Sequence, residues 1–171
     1  MKSFVLAPFD IALGLELTGD IARTENRLRL HYDLFDEFSE VVIPAAHSPQ
    51  RRNNLWQTTC FEFFLGVQNS PQYWEFNLSP SGDWNVYRFE SYRTGMQEEL
   101  TLTQLPFEFD AIEKSCTIDF DLSPIIQADQ LLNVSITAVI QTLDEQITYW
   151  AIQHCGAEAD FHLRESFVLD I

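Results

Sequence analysis

Apolar residues recur at every second position along most of this chain and almost nowhere at helical spacing, so strands rather than helices must carry the fold. Ile11, Leu13, Leu15 and Leu17 alternate with Ala12, Gly14, Glu16 and Thr18, and Leu28, Leu30 and Tyr32 alternate with Arg27, Arg29 and His31. Successive strand side chains point to opposite faces, so each such run has one face to bury and one to leave wet. The stretch 58–67 is different, being apolar on both faces. Runs at 73–79 and 84–92 follow, separated by the turn formers Pro80-Ser81-Gly82-Asp83. Further strands are expected near 99–105, 107–112, 115–122, 132–142, 146–154 and 165–170. The one helical turn to expect is Ser123-Pro124-Ile125-Ile126-Gln127, with Ser123 as N-cap and Pro124 at the first position. Many short strands joined by turns predict an all-β fold, a two-sheet antiparallel β-sandwich of jelly-roll type. Residues 1–171 read as a single domain, without internal repeat or linker.

Composition narrows the partners. Ten Lys and Arg oppose 26 Asp and Glu, a formal net charge of -16. Nucleic acid and anionic membrane surfaces are excluded on that balance, because binding them needs clustered cations. The only basic cluster is Arg51-Arg52. Cys60, Cys116 and Cys155 have no zinc spacing, and Cys60 and Cys116 lie in strand-like runs as small core hydrophobes. The four His are scattered, so no metal site is expected. The apolar run after Met1 is broken by Pro8 and Asp10, too soon for an export signal, and no run is long enough to cross a membrane. A cytosolic, acidic protein with reduced thiols is expected.

The chemistry-bearing candidates sit on the middle strands. Glu62 shares a face with Cys60 and Phe64, opposite Phe61, Phe63 and Leu65. A carboxylate among apolar groups needs a partner to stay ionised. Tyr73, Glu75, Asn77 and Ser79 form a polar face opposite Trp74, Phe76 and Leu78; the third strand sets Trp84, Val86, Arg88 and Glu90 against Asn85, Tyr87 and Phe89. Trp56, at the end of the irregular stretch 43–54, is expected to meet Glu62, Glu75, Asn77, Trp84 and Arg88 on a shallow polar sheet face with aromatic edges. Indole rings cover the apolar C–H faces of sugars, and charged or amide groups take their hydroxyls. A second cluster contains His154, Phe161 and His162. A Trp in the core, or a Glu paired with Arg88, remains the structural alternative. Nucleophilic catalysis has little support: there is no GxSxG, and Cys155 beside His154 would be splayed in a strand.

The run Asn54-Leu55-Trp56-Gln57-Thr58-Thr59-Cys60-Phe61-Glu62-Phe63-Phe64-Leu65 resembles the signature of bacterial DOMON-like domains, relatives of the family 9 carbohydrate-binding modules. So do Tyr73-Trp74-Glu75-Phe76-Asn77-Leu78-Ser79-Pro80-Ser81-Gly82-Asp83-Trp84 and the later pieces Tyr92-Arg93-Thr94-Gly95-Met96, Tyr149-Trp150-Ala151 and Asp160-Phe161-His162. The resemblance spans nearly the whole chain. It implies a sandwich in which family 9 modules hold a sugar end between two Trp rings, with Trp56 and Glu62 matching a contacting Trp and Glu. No Trp follows Trp150, so Phe161 or His162 stands where the second ring falls. Other DOMON domains bind haem through Met and His; Met96 is the only internal Met here, and no cofactor is expected. The function expected is non-catalytic binding of a small carbohydrate or carbohydrate-like ligand. The alternatives are a protein-interaction domain presenting its aromatic surface and a hydrolase using Glu62 and Glu75.

Overall fold

The computed structural model describes residues 1–11 and 13–171; Ala12, part of the alternation read over 11–18, lies outside the described residues. The chain is all-β, 48% strand and 4% helix. Its strands are β1 (Lys2–Pro8), β2 (Leu15–Thr24), β3 (Arg27–Asp36), β4 (Cys60–Val67), β5 (Tyr73–Leu78), β6 (Trp84–Phe89), β7 (Gln97–Glu98), β8 (Phe107–Asp110), β9 (Ser115–Asp121), β10 (Leu132–Gln141), β11 (Ile147–Ala151) and β12 (Leu169–Asp170). They run in the order β7-β6-β5-β4-β10-β11-β1-β2-β3-β9-β8, with β12 on β10, and the named strands pair antiparallel throughout. Where the alternation predicts two packed sheets, the strands form one strongly curled antiparallel sheet, a half-barrel.

β1 makes the curl possible. Lys2 to Leu6 pair with β2, whereas Ala7 and Pro8 pair with β11, so one short strand joins both halves of the sheet. Curling brings the apolar sides together: Tyr32 on β3 meets Phe61 on β4 with ring centroids 5.1 Å apart, and Phe76 on β5 meets Phe120 on β9 at 5.5 Å. The Tyr32 hydroxyl crosses this core and donates to the Glu62 carbonyl at 2.6 Å. A phenol buried this deeply needs such a partner.

Several boundaries differ from the sequence expectation, each for a local reason. β1 was hidden because only Phe4 and Leu6 of its seven residues point into the core. The segment at 99–105 is no strand; Leu102 and Leu105 drop into the core from a loop. The strand expected over 165–170 shrinks to Leu169–Asp170, because Arg164–Ser166 turn as a short 3-10 helix. At 123–127 a single turn forms, with Ile126 N–H donating to the Leu122 carbonyl at 2.8 Å.

Candidate functional site

The face of β4, β5, β6 and β10 that looks away from the core is also covered. Register sets its rows: Glu62 on β4 lies opposite Asn77 on β5 and Thr137 on β10, Asn77 lies opposite Asn85 on β6, and Phe64 lies opposite Glu75, which lies opposite Tyr87. Glu62 and Glu75 are therefore diagonal cross-strand neighbours, a spacing that lets long side chains meet. They floor a cavity of about 410 Å³. Its walls are Trp56, Phe64, Phe89, Tyr149 and Phe161, with Met96, Val139, Ala159, Arg93 and His162 completing the lining.

Two irregular segments cover this face, and side chains pin both. The first carries Trp56. Asp83 accepts the Gln50 N–H at 3.2 Å and pairs with Arg52 at 3.1 Å and with His47 at 3.3 Å. Asn53 Oδ1 accepts from the Tyr87 hydroxyl at 2.6 Å and from Asn85 Nδ2 at 3.0 Å. Asn54 then takes a left-handed turn, φ 63, which short polar residues tolerate. The turn delivers Trp56 edge-on against Tyr87, centroids 5.9 Å apart. The second segment carries Phe161, His162 and Phe167. Its anchor is Arg164, which donates to the Val67 carbonyl at 3.2 Å and lies 4.6 Å over the Phe167 ring. Gly66 leaves room for that guanidinium: a Cβ there would fall 1.2 Å from Arg164 Nη1.

The carboxyl groups are deeply buried, Glu62 at 2% and Glu75 at 5% exposure. Glu75 Oε1 accepts from Asn77 Nδ2 at 2.8 Å. Glu62 Oε1 is buried without a hydrogen-bond partner among the described residues. Burial pushes Glu75 up to about 7, partly offset by the Asn77 bond and the Arg93 charge. Burial, then repulsion from Glu75, pushes Glu62 well above the usual carboxylate range. The pair therefore retains a proton that exposed carboxyls would have released. His162 Nδ1 lies 2.9 Å from the Tyr73 hydroxyl, and its Nε2 is 3.8 Å from Glu75 Oε2. Burial, reinforced by Arg93, lowers His162 to about 4, so the ring is neutral in neutral solution. Arg93 itself is tied to Asp160 at 2.9 Å, and Tyr92 donates to the same carboxylate at 2.5 Å.

The structure brings Trp56, Glu62, Glu75, Phe161 and His162 to one cavity, with Asn77 beside them as the donor to Glu75. Trp84 and Arg88 are elsewhere. They lie on the opposite side of β6, where Trp84 belongs to the core under the Arg51 guanidinium, 4.3 Å from its ring. Arg88 donates to Gln97 at the sheet edge, at 3.2 Å, rather than pairing with Glu75. The reason is register: Leu78 faces Trp84 and Asn77 faces Asn85, so Asn85, Tyr87 and Phe89 take the cavity side. His154 is half-buried beside the cavity, its Nε2 2.9 Å from the Ala7 carbonyl and its ring 6.4 Å from Phe161. Sequence reasoning missed Phe64, Phe89, Arg93, Met96, Val139, Tyr149 and Ala159 as lining residues. The polar Asn85 in an apolar strand was the available signal for the face of β6. Cys116 packs in the core, whereas Cys60 is buried on the cavity side of β4, its Sγ 3.8 Å from Asn77 Oδ1.

Among the described residues there is no cluster of His, Cys, Asp and Glu suited to hold a metal ion, and no helix long and apolar enough to cross a membrane. No family model and no curated protein matches the chain. A solved structure from Bacteroides uniformis ATCC 8492, provisionally assigned as a carbohydrate-binding protein, is similar with a TM-score of 0.61. It shares 14% identity, and the match covers 96% of this chain and 84% of that one. At that identity the likeness is one of fold alone.

Proposed function

We propose that this protein binds a small carbohydrate or carbohydrate-like ligand, without catalysis, in the cavity between Trp56 and Phe161. The observation that carries the reading is the pairing of aromatic walls with a buried carboxyl floor in one recess of about 410 Å³. That volume lies within the usual range of small-molecule sites, roughly 300–1,000 Å³. Aromatic faces suit the C–H surfaces of a sugar ring, and Glu62 Oε1 has no hydrogen bond among the described residues to give up when a hydroxyl arrives. Phe161, which lines the same cavity as Trp56, offers an aromatic ring where no second Trp is present. The Bacteroides uniformis neighbour supports the same ligand class. The split pairing of β1 supports treating the curled sheet as a two-sheet sandwich of the DOMON and family 9 kind.

Calorimetric titration with a panel of mono- and disaccharides tests the reading. Trp56→Ala is expected to lose about 2 kcal/mol of affinity, as aromatic anchors do, while the melting temperature changes little. The reading fails if no saccharide binds the wild-type protein, or if Trp56→Ala binds as well as wild type. A second reading, hydrolysis by a carboxylate pair, draws on the differently held protons of Glu62 and Glu75. Release of a chromophore from aryl glycosides, lost in Glu62→Gln, would establish that reading instead.

A further inference from the structure

The cavity floor holds more carboxyl groups than a neutral sugar can use. Glu62 and Glu75 are adjacent, almost wholly buried, and open into the same recess, and Glu62 Oε1 has no partner among the described residues. Arg93 is the one Lys or Arg lining the recess among the described residues, and Asp160 already holds it at 2.9 Å. His162 faces Glu75 as a neutral ring. Two carboxylates side by side in a place with little water cannot both ionise without a cation between them. A hydroxyl donates one hydrogen bond, so it satisfies one carboxylate and leaves the proton on the other. An ammonium group has three donors and a full charge, so it can reach both carboxylates at once. The walls favour the same guest: aromatic rings attract cations over their faces, and Trp56, Phe64 and Phe89 surround the floor. At longer range, the net charge of -16 draws cations toward the protein.

We propose that the cavity selects a ligand carrying a protonated amine, an amino sugar within the carbohydrate class proposed above, with the amine seated between Glu62 and Glu75. The inference rests on that reading for the sugar and on the two carboxyl groups for the amine. Calorimetric titration with glucosamine, galactosamine and mannosamine, their neutral parent hexoses and their N-acetylated forms tests it, with cyclohexylamine as an amine that is not a sugar. At least one amino sugar should bind about tenfold or more tighter than both its parent and its N-acetyl form, the gain of a charge-assisted contact. Glu62→Gln and Glu75→Gln should each bring the affinity of the amino sugar down to that of its parent hexose, both measured on the same variant. Because a Gln side chain keeps the shape of Glu, these variants are expected to fold, and their melting curves check it.

Parent hexoses that bind as tightly as the amino sugars, or a preference that survives both Gln variants, overturn the amine seat and leave the carbohydrate reading standing. Cyclohexylamine binding that depends on both carboxyls, with no sugar bound at all, supports the amine seat and overturns the carbohydrate reading. If neither sugars nor cyclohexylamine bind, both fall.

Discussion

The two halves of the curled sheet use the same alternation to different ends. In β3 the burial alternates strictly, Leu28, Leu30, Tyr32 and Leu34 inward and Arg27, Arg29 and Asp33 outward, as expected of a strand with one wet face. In β4 and β5 every residue from Cys60 to Gly66 and from Tyr73 to Leu78 is buried. A strand apolar on both faces needs cover on both, and here the second cover is two loops rather than another layer of strands. Loops pack less regularly than strands, and the space they leave over Glu62 and Glu75 is the cavity. The half with one wet face supplies the frame; the half covered twice supplies the site.

Single substitutions at neighbouring positions can break that contrast, and the largest effects are expected in the core. Leu30→Ala should cost about 2–5 kcal/mol of stability, and Phe63→Ala, which removes a ring stacked on Phe76 at 4.3 Å, about 3–5 kcal/mol. The neighbours separate the halves. Arg29→Ala, on the wet face of β3, should stay within about 0.5 kcal/mol of wild type. Phe64→Ala, whose ring packs with Tyr73 and Phe167 beneath the second cover, should cost about as much as Phe63→Ala. Denaturant unfolding of the four variants measures this. A Phe64→Ala cost as small as that of Arg29→Ala would mean that the loops cover the face without packing on it.

The buried carboxyls give the covered half a pH dependence that extends to neutrality. Glu75 has an ordinary value of 4.5 and is pushed up to about 7, so between those limits the folded protein keeps a proton that the unfolded chain has lost. Its contribution is full below about pH 4.5 and is lost as pH rises through about 7, on the order of 3 kcal/mol in all. Glu62 is raised in the same direction. His162 acts oppositely: lowered from 6.5 to about 4, its contribution is full above about pH 6.5 and is lost as pH falls through about 4. The two slopes offset each other between about pH 4.5 and 6.5, and the carboxyls dominate above that. Stability measured against pH should therefore fall toward neutrality, and Glu75→Gln should flatten the fall. His162→Phe should steepen it between about pH 4.5 and 6.5. A wild-type protein more stable at neutral pH than at pH 5 would show that the pair carries less burial strain than its geometry implies.

How much of this was legible in the sequence varies strand by strand. The alternation assigned both faces of β4 and β5 because their two faces differ in chemistry: Phe76 and Leu78 against Glu75 and Asn77. On β6 the sequence gives aromatics to both faces, Trp84 on one and Tyr87 and Phe89 on the other. Alternation divides such a strand but does not say which side faces the core; pairing of Leu78 with Trp84 decides it. Trp56 and the Asp160-Phe161-His162 run were visible as aromatics in irregular stretches. Arg93, Met96 and Tyr149 lie in stretches that carry the resemblance but were not assigned to the site, because they come to the cavity from separate segments and no spacing links them. The curl was equally hidden, since it depends on β1, where only two side chains point inward.

The smallest effect expected in the covered half sharpens the comparison most, because it concerns how the second cover is held. Gly66 lies on the cavity side of β4, opposite Tyr73, and Arg164 occupies the volume that its side chain would fill. Gly66→Ala should displace the guanidinium from the Val67 carbonyl and from the Phe167 ring. The loss is partly offset, since Ala restricts the unfolded chain more than Gly and suits a strand interior better by about 0.5–1 kcal/mol. Net stability should change by less than about 1 kcal/mol. The segment carrying Phe161 and His162 should nevertheless exchange its amide hydrogens faster, while β3 and β9 exchange as before. Arg164→Ala should reproduce that local loosening without touching the strand. If both variants leave exchange over 159–167 unchanged, Phe167 and Phe161 hold the cover through their rings alone, and Arg164 is a passenger on it.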